Sequence, residues 1–190
     1  MKSIVVIASF LVIIASSIST ASFIFSNNMF ANAQETGNSI ISSFNSTNGN
    51  VTVGKLIYEG KGEITSQTVL QGPTVQTSFV SNDTISKGGG SNNSEKVKEI
   101  GTYTSTPRAS GILYGEGKGV ITGKNNEIVT WTSQQKGTMT FDGKIIFHGS
   151  MFFNSLSPVG SLAFLDNMPA LFSFEVDASK NTMTKVWELR

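Results

Sequence analysis

From Val51 onward, apolar and polar residues alternate in short runs that Gly, Asn and Pro interrupt. A period of two marks a strand with one buried face. The clearest case is Ile128 to Met139. Val129, Trp131 and Met139 fall on one face, and Thr130, Thr132, Gln134, Lys136 and Thr138 on the other. β-branched residues, aromatics and Thr fill these runs, as strands favour. The pattern predicts strands over 54–69, 74–80, 96–104, 111–122, 127–140, 144–153, 170–176 and 182–189. Asp142-Gly143 centres a hairpin turn, Lys124-Asn125-Asn126 and Ser179-Lys180-Asn181 are further turns, and Ser86–Ser94 reads as a flexible loop. In 157–167, Ser157 can cap a helix, Pro158 suits its first position, and Leu162, Phe164 and Leu165 can bury; an irregular lid is the alternative. The expectation is an all-β domain, an antiparallel up-and-down barrel of about eight strands or a closely related sandwich, with one short helical insert.

An internal echo runs through this pattern. Glu59-Gly60-Lys61-Gly62-Glu63-Ile64-Thr65 returns as Glu116-Gly117-Lys118-Gly119-Val120-Ile121-Thr122, 57 positions later. Glycines that share one strand face let the strand bend sharply or let a neighbour approach, as at a barrel corner. Two copies fit a barrel with approximate internal symmetry, whereas a solenoid needs more. The Gly-x-Gly pairs sit within strands, with no helix start to receive a phosphate, so nucleotide binding is not expected.

The N-terminus has a different grammar. Lys2 precedes the apolar run Ile4–Ile14, Ala31-Asn32-Ala33 forms an A-x-A site, and the first acid is Glu35. This predicts an export signal over 1–33, cleaved after Ala33, with Ala21 as the second choice. The rival is a retained anchor, since Ile4 to Phe25 is 22 residues long and can cross a bilayer. The expected location is secreted or at the extracytoplasmic cell surface, with membrane contact only if 4–25 is kept. Residues 34–50 read as a polar tether, and 51–190 as the barrel domain. Asn45, Asn50, Asn82 and Asn92 begin N-x-S/T sequons in loop-like segments, and glycosylation is an expectation that depends on export.

Charge and composition narrow the chemistry. Only 14% of the 190 residues are charged, and the formal net charge is +1. Cleavage after Ala33 leaves 157 residues with 13 basic and 13 acidic side chains. Such a chain has no electrostatic footprint for nucleic acid. It has no Cys and one His, which excludes disulfides, thiol nucleophiles and multi-histidine metal centres. The acids show no metal-loop spacing, so neither a metal nor a cofactor is expected.

The candidate site residues are Tyr58, Glu59, Arg108, Tyr114, Glu116, Trp131 and His148. Glu59 and Glu116 are the repeated acids. Inside a barrel either can gain a raised pKa and move a proton; outside, it can pair with Lys61 or Lys118, two positions away on the same face. Arg108 can grip a carboxylate, or stand solvated on the rim. His148 is the one possible imidazole base. Ser150 shares its face, but no nucleophile elbow is present, so a hydrolase is not expected. Trp131 reads more readily as core than as ligand cage.

The runs 102–121, 127–131, 148–153, 162–167 and 172–189 together resemble a group of small, uncharacterised β-barrel proteins from archaea and bacteria, calycin-like or similar to the allene-oxide-cyclase barrel. The likeness covers about 54–189. It departs at His148, where a basic residue such as Arg is expected, and at Leu189, where an aromatic is usual. The resemblance implies the barrel and no activity. Three functions follow as expectations: binding of a small hydrophobic ligand inside the barrel, a cyclase or isomerase using a barrel-lining Glu, and a structural envelope protein able to form a homo-oligomer.

Overall fold

A computed structural model describes residues 51–89 and 93–190. The segments expected to be an export signal and a tether, and the sequons at Asn45, Asn50 and Asn92, lie outside the described residues. Eight strands run in chain order: β1 Val53–Val69, β2 Val75–Ser86, β3 Ser94–Pro107, β4 Ile112–Thr122, β5 Ile128–Met139, β6 Ile145–Ser155, β7 Pro169–Val176 and β8 Asn181–Leu189. Each pairs antiparallel with its successor, and β1 pairs with β8 to close the barrel. Short turns suffice for this topology. Asn125, Asn126 and Lys180 take positive φ angles of 56°, 61° and 68° there, and Gly143 takes 80°.

Two expectations change. β2 extends to Ser86, beyond the predicted end at Val80. Its inward positions pass from Thr77 and Phe79 to Ser81, Asp83 and Ile85. Buried polar residues imitate a turn in an apolar–polar pattern, and that hides the strand. Asn82 therefore lies on the exposed face of a strand, between Lys61 and Lys98, and not in a loop. The predicted helix over 157–167 shrinks to one 3-10 turn, Ala163–Leu165. What this segment does is plug one end of the barrel: Leu162 and Leu165 are fully buried. Glu127 holds it there by accepting the backbone N–H of Leu162 at 2.8 Å and of Ser161 at 3.2 Å.

The inward side chains stack in three tiers. Next to the plug lie Ile57, Ile85, Val97, Ile121, Val129 and Phe153. The far tier is aromatic. Phe174 stands 5.0 Å from Phe79 and 5.5 Å from Tyr103 between ring centroids, and Tyr103 stands 5.3 Å from Phe147. Between them sits a polar tier on β1, β2, β3 and β5. The two Glu-Gly-Lys-Gly copies lie on β1 and β4. Those strands are three apart and run in opposite directions, so the copies are not equivalent positions of two symmetric half-barrels.

Candidate functional site in the barrel interior

The middle tier is built on strand alternation. Tyr58 follows a bulge in the β1–β8 pairing and points inward, with 3% of its surface exposed. Asp83 on β2 and Glu99 on β3 occupy inward positions and are 1% and 3% exposed. Tyr58 Oη donates to Asp83 Oδ2 at 2.6 Å and also contacts Glu99 Oε2. Ser81 Oγ lies 2.9 Å from Asp83 Oδ2 and 3.1 Å from Glu99 Oε2. Two hydroxyls thus serve the same two carboxyl oxygens. Each hydroxyl has one hydrogen, so two charged carboxylates so placed repel across them. Sharing one proton relieves that repulsion.

The acids respond accordingly. Burial, and then the charge of Asp83, push Glu99 up to about 7 against hydrogen bonds that favour its charged form. Burial pushes Asp83 up to about 6, opposed by Tyr58, Ser81 and the Lys96 charge. Tyr58 rises well above its ordinary value, chiefly through burial, and stays a neutral donor. Among the described residues no Lys, Arg or His is buried, and none forms an ion pair with either acid. Buried charges in proteins normally have such a partner.

Glycines make the room. A Cβ on Gly60 would fall 1.6 Å from Asp83 Oδ1. A Cβ on Gly119 would fall 2.6 Å from the Trp131 ring. Trp131 on β5 lies over its register partner Gly119 and fills the space that the glycines of the neighbouring β4 leave. Its indole N–H favours the charged form of Glu99, yet no acceptor stands within hydrogen-bond geometry of it. Asp83 Oδ1 is also without a hydrogen-bond partner. Beside Glu99 and Trp131 is a cavity of about 20 Å³, walled by aromatic rings and Met151 and also by the polar side chains of Ser133, Gln135 and Thr184. That is room for about one water molecule. The interior is therefore packed, not the open cup that a capacious ligand barrel would show.

The expected site residues divide sharply. Tyr58 and Trp131 meet in the interior. Glu59 points outward and pairs with Lys185 at 3.7 Å, not with Lys61. Glu116 points outward and accepts from Tyr114 Oη at 3.0 Å. Neither repeated acid lines the barrel. Arg108 is exposed, 5.6 Å from the centroid of the Tyr114 ring. His148 is exposed on the outer face of β6, opposite Lys136 and Ser173. An open groove of about 640 Å³ crosses the outside of the wall past Thr102, Glu116, Lys118, Gln134 and Phe152. It is the larger hollow, but its polar side chains are solvated, and the buried chemistry lies in the smaller cavity. The sequence reading missed Ser81, Asp83 and Glu99. Their signal was phase: Val97, Glu99 and Tyr103 share one face of β3.

No family model matches the chain, and no curated protein does. Solved structures are similar to it in fold. A conserved protein of unknown function from Rhodopseudomonas palustris is 13% identical with a TM-score of 0.57, covering 75% of this chain and 99% of that one. A protein of unknown function from Clostridium acetobutylicum is 11% identical with a TM-score of 0.55, over 75% of this chain and 100% of that one. A β-barrel-like protein from Acinetobacter baumannii is 8% identical with a TM-score of 0.50, over 77% of this chain and 99% of that one. These likenesses support the barrel and leave its task open.

Proposed function

We propose that the protein is an exported barrel that binds a small, largely apolar molecule, with the interior acid centre as the polar anchor. One observation carries this reading: a closed interior rich in aromatic rings holds two carboxyl groups with no buried cation among the described residues, beside a cavity and an unpartnered indole N–H. Stability alone does not favour that composition, because an apolar side chain there avoids the desolvation cost. The cavity as it stands admits only the polar end of a ligand. The body enters by moving Met151, an unbranched side chain that adapts readily. Export rests on the Lys2–Ile14 run and the Ala31-Asn32-Ala33 site, and a glycan at the exposed Asn82 rests on export in turn.

The test is native mass spectrometry of the protein from its own source, followed by denaturing extraction. A stoichiometric small molecule released from the protein, and absent from folded Glu99→Leu, supports the reading. An intact barrel that releases nothing removes tight carriage. A second reading, an acid–base enzyme, is favoured by Glu99 lining the cavity with its pKa near neutrality. Glu99, and not the solvent-facing Glu59 or Glu116, is the acid placed for that role.

A further inference from the structure

Resting on the interior-binding reading, we propose that the occupant presents a neutral carbonyl oxygen to two donors, the Trp131 indole N–H and the Glu99 carboxyl. The geometry supplies each part. Trp131 is 5% exposed and lines the cavity beside Glu99, and its Nε1 lacks an acceptor. An unmet donor in a dry site is costly, and a ligand acceptor removes that cost. Glu99 and Asp83 crowd against the same Tyr58 and Ser81 oxygens, so the pair retains a proton. Asp83 keeps the charge more easily, since Lys96 favours it. Glu99 then holds the proton and is the member that lines the cavity. Two donor residues lining one cavity, among aromatic rings and the side chains of Ser133, Gln135 and Thr184, match a ketone-type oxygen on an apolar body. An ammonium group would instead meet the Trp131 N–H head-on, donor against donor.

The experiment uses three probes of one shape on the full chain: cyclohexanone, methylenecyclohexane and cyclohexylammonium. Trp187→Phe leaves Trp131 as the only indole, since the chain has two Trp. Quenching of its fluorescence and titration calorimetry report binding, and the infrared carbonyl stretch reports hydrogen bonding. Cyclohexanone is expected to bind about tenfold more tightly than methylenecyclohexane, with its carbonyl stretch lowered. Trp131→Phe, read by calorimetry and infrared, keeps a ring, and is expected to remove most of that preference and of the shift. Glu99→Gln retains a donor, and is expected to keep the preference within about threefold. Circular dichroism checks that each variant is folded. Equal binding of ketone and hydrocarbon, with no shift, overturns the carbonyl assignment while interior binding stands. Tightest binding of cyclohexylammonium also overturns it, in favour of a cation site. If none of the probes quenches Trp131, both the carbonyl assignment and the interior-binding reading fall.

Discussion

Tyr58 and Tyr114 each introduce a Glu-Gly-Lys-Gly segment, and they end on opposite sides of the barrel wall. In β1 the order is Tyr58-Glu59-Gly60; in β4 it is Tyr114-Gly115-Glu116. That one extra glycine changes the phase. A strand turns each successive side chain to the other face, so a shift of one residue moves a side chain through the sheet. Tyr58 is 3% exposed and bonds to the buried acids, whereas Tyr114 is 38% exposed and bonds to Glu116 in solvent. Phase, not motif, decides which tyrosine joins the site. The glycines behave alike in both copies, because both face inward and lack side chains. What fills the space differs: Asp83 against β1 and Trp131 against β4.

The largest expected effect breaks the β4 half of this comparison. Trp131→Ala empties the volume over Gly117 and Gly119 and is expected to cost about 3–5 kcal/mol of stability. Asp83→Ala removes a smaller group and a desolvated charge, and is expected to cost less than half as much. Urea denaturation of both variants checks the order, and an equal or larger loss at Asp83 would sink the claim that aromatic packing dominates the interior. Gly60→Ala comes next. Its methyl group collides with Asp83 Oδ1, and a loss of about 1–3 kcal/mol is expected. The double variant Gly60→Ala/Asp83→Ala is expected to recover about 1 kcal/mol relative to additivity. Strict additivity would mean that Gly60 is required for some reason other than room for the acid.

How much of this was legible follows the same rule. Strands whose inward faces are apolar, such as β5 with Val129 and Trp131, announce themselves. β2 did not, because Ser81 and Asp83 occupy inward positions and a polar residue in the buried phase reads as a turn. The plug at 156–168 carries helix-start residues, yet Leu162 and Leu165 are buried by closing a barrel end and not by a helical stripe. The repeat singles out Glu59 and Glu116, but a repeated residue on the solvent face records only strand shape. Glu99 was visible to anyone extending the phase of Val97 and Tyr103. Its meeting with Tyr58 and Asp83 was not, because barrel closure and register bring those strands together, and no local pattern encodes either.

The tyrosine pair gives a smaller and cleaner test. Tyr58→Phe takes a donor from two buried carboxyl groups, and a loss of about 1–2 kcal/mol is expected at neutral pH. Tyr114→Phe removes an exposed bond and is expected to stay within about 0.5 kcal/mol of the unmodified chain. Similar losses from both would show that the change of phase has no energetic consequence.

The least steep effect is the pH dependence of stability. Glu99 and Asp83 have folded-state pKa values of about 7 and about 6, above those of exposed carboxyl groups. Across the window from about 4 to 7 the folded protein therefore holds more protons than the unfolded chain. Stability falls as pH rises through that window, by at most about 1.4 kcal/mol per pH unit for each proton of difference. Glu127 works in the opposite sense. The backbone N–H groups of Leu162 and Ser161 hold its pKa down, so its contribution fades only in more acidic solution. Denaturation at about pH 5 and about pH 8 is expected to find the greater stability at pH 5, and Asp83→Asn/Glu99→Gln is expected to flatten the difference. A barrel more stable at pH 8, or one whose slope survives the double variant, would show that its pH response comes from outside the interior pair. In that case Tyr58 would be no more than a buried counterpart of Tyr114.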